Sequence, residues 1–331
     1  MIHIIVCTFN GQEFIKQQMD SILMQSNQDW TLHVFDDGST DDTLEIIKGY
    51  SSKLSARLKI HKGQQAGSAK TNFMGGILSV KRYMIEGDYV MLCDQDDVWL
   101  PRKIETTLNR MKKLEWETET DCLDLTKTPL LVFTDSTLVD EKNDAIHPSF
   151  MGSMGFDMSQ LSCANFLMEN KVQGSTTMFN KALADLVTFI PEHMDMHDWW
   201  LALIASARGR ISFVSESTMY YRQHSKAVTS EKMSFWRDIK WKFMNLSKQR
   251  NIVFDKIPQA LELMDSIELG EEKMRVARAF VSLPDVGFFE RRRLIKEHGL
   301  WKSGKLKNLG LMLLISKQAQ FFFFTSQNGK R

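Results

Sequence analysis

Residues 89–99 read "YVMLCDQDDVW", and the change of character within this stretch decides the fold. Tyr89 to Cys93 form an unbroken apolar run, as suits a strand buried on both faces. Asp94, Asp96 and Asp97 then crowd three carboxylates together where such a strand leaves the core. Toward the N-terminus, "IHIIVCTF" at 2–9 and "TLHVF" at 31–35 repeat the buried run, each followed by a helix-like polar segment. This alternation predicts β-α-β units on a parallel sheet. In open sheets of this kind ligands sit beyond the carboxyl ends of the strands. Polar residues cluster at just those points: Thr8, Phe9 and Asn10, then Asp36 and Asp37, then Asp94 to Asp97.

The chain has 331 residues and is 43% hydrophobic, enough for a substantial core. Its net charge of +1 hides an asymmetry. Residues 231–331 carry 20 Lys and Arg against 11 Asp and Glu, a balance of +9, which leaves 22 against 30, or −8, for residues 1–230. The two parts are therefore suited to different partners. Cys7, Cys93, Cys122 and Cys163 show neither C-x-x-C nor zinc-site spacing, which argues against a metal cluster or disulfide framework and for a reducing compartment. "MIHIIVCTFN" lacks a basic leader and reads as a first strand, so the expected location is the cytoplasm. The longest apolar tract, 309–324, is interrupted by Lys317, Gln318 and Gln320; it suits a helix lying on a bilayer better than one crossing it.

Within "VFDDGSTDDT" at 34–43, Gly38 permits a turn and Ser39 with Asp42 matches a capping box opening the next helix. Asp41 and Asp42 are acids favoured at a helix start. Asp36 and Asp37 lie before it and can accept from a nucleobase N–H or a ribose hydroxyl. The acids at 94–97 repel one another unless a cation intervenes. Two readings fit them: a Mg2+ or Mn2+ site able to bridge a diphosphate, and a solvated loop over Val98 and Trp99. Asp198, in "MHDWWLALIASA" at 196–207, is either a helix cap or a catalytic base. His224 closes "YYRQH", after a strand-like "RISFV" at 210–214 and a turn. Elsewhere, 112–129 reads as a charged surface connection, 130–139 as a strand and 140–160 as a mobile loop. Residues 181–189, 198–207 and 233–247 read as helices.

Taken in order, "CTFNGQEFIKQQMDSI", "FDDGSTDDT", "GSAKTNF", "CDQDDVWLPRKI", "GSTTMFNKAL", "HDWWLAL" and "YYRQH" resemble glycosyltransferase family 2, and most strongly its bacterial rhamnosyltransferase-like branch. The likeness spans about residues 1–225. It implies an α/β GT-A fold, a Rossmann-like, mainly parallel mixed sheet flanked by helices, here with a C-terminal helical extension. It also implies inverting transfer of a sugar from a nucleoside-diphosphate sugar to a saccharide or lipid-linked glycan. By position, Thr8, Phe9 and Asn10 would line the nucleotide pocket, with Asp37 at the base or ribose and Asp36 nearby. Lys70 and Asn72 would approach the ribose and diphosphate. Asp94 would face the sugar nucleotide, Asp96 would bind the divalent metal, and Asp97 would serve the donor sugar or support the metal ligands from behind. Asp198 would be the base, and His224 would complete the metal or diphosphate site.

The branch favours dTDP-rhamnose as donor and a bacterial cell-surface polysaccharide or O-antigen as destination. Three regions are expected: a nucleotide-sugar half at 1–110, an acceptor half at 111–230, and a basic helical region at 231–331 suited to peripheral contact with the inner face of an anionic membrane. No nucleic-acid-binding fold accompanies the basic region, so nucleic acid is not an expected partner. A sugar nucleotidyltransferase would need a Gly-rich, Lys-bearing loop where "CTFNGQEF" stands. A non-catalytic nucleotide-sugar-binding subunit would not need Asp96, Asp198 and His224 together.

Overall fold

Strand β1 (Ile2–Thr8) lies between β2 (Trp30–Asp36) and β4 (Tyr89–Cys93), and β3 (Leu58–His61) flanks β2, all four running parallel. Every residue of β1, β2 and β4 is buried, as expected of central strands covered on both faces. The connecting helices are α1 (Ile15–Leu23), α2 (Thr43–Lys48), α3 (Ser51–Leu54) and α4 (Ala69–Val80). The computed structural model describes residues 1–61, 67–223 and 253–314.

Beyond β4 the sheet becomes mixed. β8 (Thr177–Asn180) runs antiparallel to both β4 and β6 (Leu130–Val139). β6 pairs in parallel with β9 (Arg210–Arg222), on whose edge lies the two-residue β5 (Val98–Trp99). β7 (Ala145–His147) pairs with β6, and the strand order is β3-β2-β1-β4-β8-β6-β9-β5. Residues Asp94 to Asp97 thus link the middle of the sheet to strand β9. The loops after β1, β2 and β4 share one edge because these neighbouring strands are parallel.

Three local expectations are corrected. Residues 112–120 are not a surface connection but the second half of α5 (Lys103–Thr120). Its buried stripe, Ile104, Thr107, Met111, Leu114 and Thr118, has helical spacing but uses threonines, and the outer face is joined by pairs such as Arg110–Glu117 and Lys112–Glu115. The 140–160 stretch contains β7 and helix α6 (Phe150–Met154). It is anchored by buried Asp135, which accepts from the Ser149 hydroxyl and from Met151 N–H at 3.1 Å. Finally, no turn separates "RISFV" from "YYR": β9 runs through, and irregular register opposite Thr134 to Thr137 absorbs the change.

A diagonal of titratable side chains crosses one face of the parallel half. Tyr89 pairs with Ile2, Ile5 with His33 and Phe35 with His61. Asp88, His3, His33 and His61 therefore each sit one strand over and two residues up from the last, which keeps them on the same face. They form one hydrogen-bonded line: Asp88 Oδ2 to His3 Nε2 at 3.3 Å, His3 Nδ1 to His33 Nε2 at 3.1 Å and His33 Nδ1 to His61 Nε2 at 3.0 Å.

The remaining helices are α7 (Cys163–Met168), α8 (Lys181–Leu186), α9 (His197–Arg208), α10 (Ile257–Ser266), α11 (Glu271–Ser282), α12 (Phe288–Glu297) and α13 (Lys305–Leu314). The chain divides into two compact units, 1–158 with 171–230 and 159–170 with 231–331. In the second, all six residues of α7 are buried, α7 packs on α11, and Asn165 Nδ2 donates to the Trp301 carbonyl at 3.2 Å. Among the described residues no helix is long and apolar enough to cross a membrane. The expected helix at 233–247 and His224 lie outside the described residues.

Candidate active site

The loop after β1 is tied to its neighbours on both sides. Thr8, itself buried, donates from Oγ1 to Asp36 Oδ1 at 2.8 Å. Asp36 also receives Gly38 N–H at 3.1 Å, Ser39 N–H at 2.8 Å and the Ser39 hydroxyl at 2.6 Å. Its carboxylate thus shapes the turn, and the expected Ser39–Asp42 capping box is not formed: Ser39 is drawn back to Asp36, and Asp42 caps α2 without a side-chain hydrogen bond. Asp37 receives Gly67 N–H at 2.9 Å. Asn10, at φ 46°, accepts from Thr40 N–H at 2.8 Å. The Phe9 side chain remains 54% exposed at the open edge, available for stacking.

From the other side, Gln95 pairs its carboxamide with the Phe9 backbone, accepting at 2.9 Å and donating at 3.0 Å. A Cβ on Gly11 would come within 2.2 Å of Gln95 Oε1, so a larger residue there would displace the Gln95 carboxamide from this pairing. Gln95, which stands between the acids in sequence, thus joins the acidic loop to the β1 loop.

Burial pushes the Asp94 carboxyl above the ordinary range, and the neighbouring charges of Asp96 and then Asp198 push it further. Asp94 keeps partial solvent access while its carboxyl group is ringed by protein atoms. Burial likewise raises Asp97, followed by the fields of Asp96 and Asp94. Asp97 is 0% exposed, and its Oδ2 has no hydrogen-bond partner. Buried Ser175 stands near enough to ease both acids, although its hydroxyl makes no regular hydrogen bond. Beneath the loop, Lys103 is fully buried, with Nζ 3.3 Å from Thr218 Oγ1. Burial lowers its pKa to about 7 against the opposing fields of Cys93 and Asp97.

Asp198 is the second residue of α9, not its cap, which is Met196. It is buried, and its two oxygens accept from Trp199 N–H at 2.6 Å and Gly174 N–H at 3.0 Å. Gly174 opens the turn before β8, and a Cβ there would lie 2.6 Å from His197 Nε2. His197 stacks on Phe73 at 4.3 Å; burial lowers its pKa to about 3, and neither ring nitrogen has a partner. Trp199 and Trp200 are both buried and pack in the interior rather than forming an exposed aromatic platform.

The structure thus brings Asp94, Asp96, Asp97 and Asp198 into one electrostatic cluster. Lys70 reaches the Met194 carbonyl at 2.6 Å. Asn72 is buried and donates to the Phe35 carbonyl at 3.0 Å. Among the described residues no three His, Cys, Asp or Glu side chains make a metal site by themselves. The cluster nevertheless suits a hard divalent ion: its donors are carboxylate oxygens, one of them a buried oxygen with no partner, and Mg2+ is commonly held by one or two carboxylates together with substrate phosphates.

A family model described as glycosyl transferase family 2 matches residues 3–117. The dTDP-rhamnosyl transferase RfbG of Shigella flexneri is 26% identical over 255 residues, which cover 74% of this chain and 79% of RfbG. Among solved structures, TarS 1–349 of S. aureus in complex with UDP superposes with a TM-score of 0.54 at 17% identity, covering 85% of this chain and 70% of that one. These likenesses support a family 2 glycosyltransferase, the family match itself spanning residues 3–117. The fold of this chain is GT-A. A second glycosyltransferase of like fold is the mannosyltransferase PcManGT of Pyrobaculum calidifontis, in complex with GDP-Man and Mn2+, with a TM-score of 0.52 at 14% identity over 94% of this chain and 78% of that one. The family match takes in the acids at 94–97 and ends before Asp198, which the fold returns to them.

Proposed function

We propose that this glycosyltransferase moves a sugar, with inversion, from a nucleoside-diphosphate sugar to a saccharide or lipid-linked glycan acceptor in bacterial cell-surface polysaccharide synthesis. The observation that carries the reading is that Asp96 and Asp198, far apart in sequence, both lie close enough to Asp94 at the carboxyl edge of the sheet to raise its carboxyl. Inversion needs a base on one face of the sugar and a leaving diphosphate on the other. In this reading Asp198 takes the acceptor proton, its oxygens held toward their task by the Gly174 and Trp199 amides. Thr8, Phe9, Asn10 and Asp37 seat the nucleotide, with Lys70 and Asn72 on its diphosphate side. Asp94 and Asp97 orient the donor and favour the positive charge of an oxocarbenium-like transition state. A Mn2+ or Mg2+ ion held by Asp96, with His224, would supply Lewis-acid stabilisation of the leaving group. The Mn2+ in PcManGT supports that choice of ion, and RfbG supports dTDP-rhamnose as donor.

Residues 1–110 and 111–230 then act as donor and acceptor halves. The basic region supports contact with an anionic membrane face: Phe289, Leu306 and Leu309 are exposed there in a stretch that also carries Arg292, Arg293, Lys305 and Lys307.

The test is incubation of the full chain with a panel of nucleotide sugars and Mn2+. Slow release of nucleoside diphosphate, fastest with one sugar, is expected. Pyrophosphate release from a nucleoside triphosphate and a sugar phosphate would instead identify a nucleotidyltransferase, and no release from any donor would leave a binding role.

A further inference from the structure

Arg222 ends β9 and is 2% exposed, yet its guanidinium reaches three separate elements. Nε donates to the Asp96 carbonyl at 2.8 Å, Nη1 to the Glu141 carbonyl at 2.8 Å and Nη2 to Gln17 Oε1 at 2.5 Å. The group lies 4.8 Å from the centre of the Phe14 ring, and the Arg222 N–H meets Asp97 Oδ1 at 3.4 Å. Burial works against its charge, while the fields of Asp97, Asp96, Asp140 and Glu13 support it. One planar fork therefore pins the acidic loop, the start of the 140–160 segment and helix α1.

We infer that Arg222 is a positioning residue for the donor site, fixing the backbone of Asp96 so that the neighbouring carboxylates are presented together. The inference rests on the reading of the acidic loop as the donor site. Its physical basis is directional. A lysine can supply the charge but not three hydrogen bonds diverging in one plane. A hydrogen bond onto the Asp96 carbonyl controls where the chain carries the side chain, which a remote charge cannot do.

The test compares the parent with Arg222→Met and Arg222→Lys as full chains. Backbone hydrogen exchange of the ligand-free proteins reads the pinning: residues 94–99 and 140–147 are expected to lose protection in both variants. Titration with dTDP and with UDP, each with Mn2+, reads the donor site, where both variants are expected to bind at least about tenfold more weakly. Exchange unchanged at 94–99 in Arg222→Met overturns the inference. So does Arg222→Lys binding as tightly as the parent, because charge alone would then suffice. If the parent binds neither nucleotide, the functional reading falls separately, and exchange alone decides whether Arg222 orders the loop.

Discussion

Gln95 and Phe9 face each other across the open edge of the sheet, a side-chain carboxamide answering both backbone polar groups of one residue at 2.9 and 3.0 Å. Removing it in Gln95→Ala frees the acidic loop from the nucleotide loop. Each such hydrogen bond contributes roughly 0.5–1.5 kcal/mol, so losing both is expected to lower donor affinity about 5- to 150-fold. Gln95→Glu should be no better, because a carboxylate cannot donate to the Phe9 carbonyl. Calorimetric titration with the preferred donor checks both.

Asp96→Ala is expected to abolish Mn2+-dependent donor binding, by removing the carboxylate best suited to share the ion with the diphosphate. Donor affinity equal to the parent's would falsify that assignment.

For Asp198→Asn the expectation is the opposite split. The amide keeps the size of the side chain and an oxygen for the Gly174 N–H, so donor binding should survive, while turnover should drop about 10²- to 10⁴-fold with the loss of a general base. Transfer at the parental rate would mean that another group takes the proton.

The histidine diagonal predicts a pH dependence of folding. Burial first, then the fields of His3, His61 and Lys59, lower His33 from 6.5 to about 3. As pH falls below 6.5 the unfolded chain takes up this proton first, so stability is present above that pH and is lost toward about 3. The slope from one such group approaches about 1.4 kcal/mol per pH unit. Asp94 and Asp97, raised by burial, tilt stability the other way, so the measurement is a difference: denaturation of the parent and of His33→Gln across this range. The parent should show the steeper acid loss. Parallel curves would remove His33 as the cause.

Much of the candidate site could be read before the fold because polar residues at the carboxyl edge of a parallel sheet follow buried runs, and such runs are conspicuous. Thr8, Asp37 and Asp94 to Asp97 announce themselves in this way. Asp36 did not reveal its role as the keystone of a turn, since an Asp after a strand looks the same whether it faces ligand or backbone. Arg222 was passed over for the adjoining His224, as nothing local distinguishes an arginine that ends inside the protein. Lys103 was missed for the same reason: its burial depends on Trp99 and Thr218, the latter more than a hundred residues away. Helix α5 escaped because threonine occupies positions where the periodic signal expects leucine.

Helix α7 has a practical consequence. Its six residues come from the middle of the catalytic sequence but are buried with segments that follow residue 230. Cutting the chain there would strip the cover from Phe166 and Leu167, creating a sticky face where none existed. The C-terminal hundred residues are thus no removable appendage, and a shortened enzyme should aggregate even though every catalytic candidate before the cut survives.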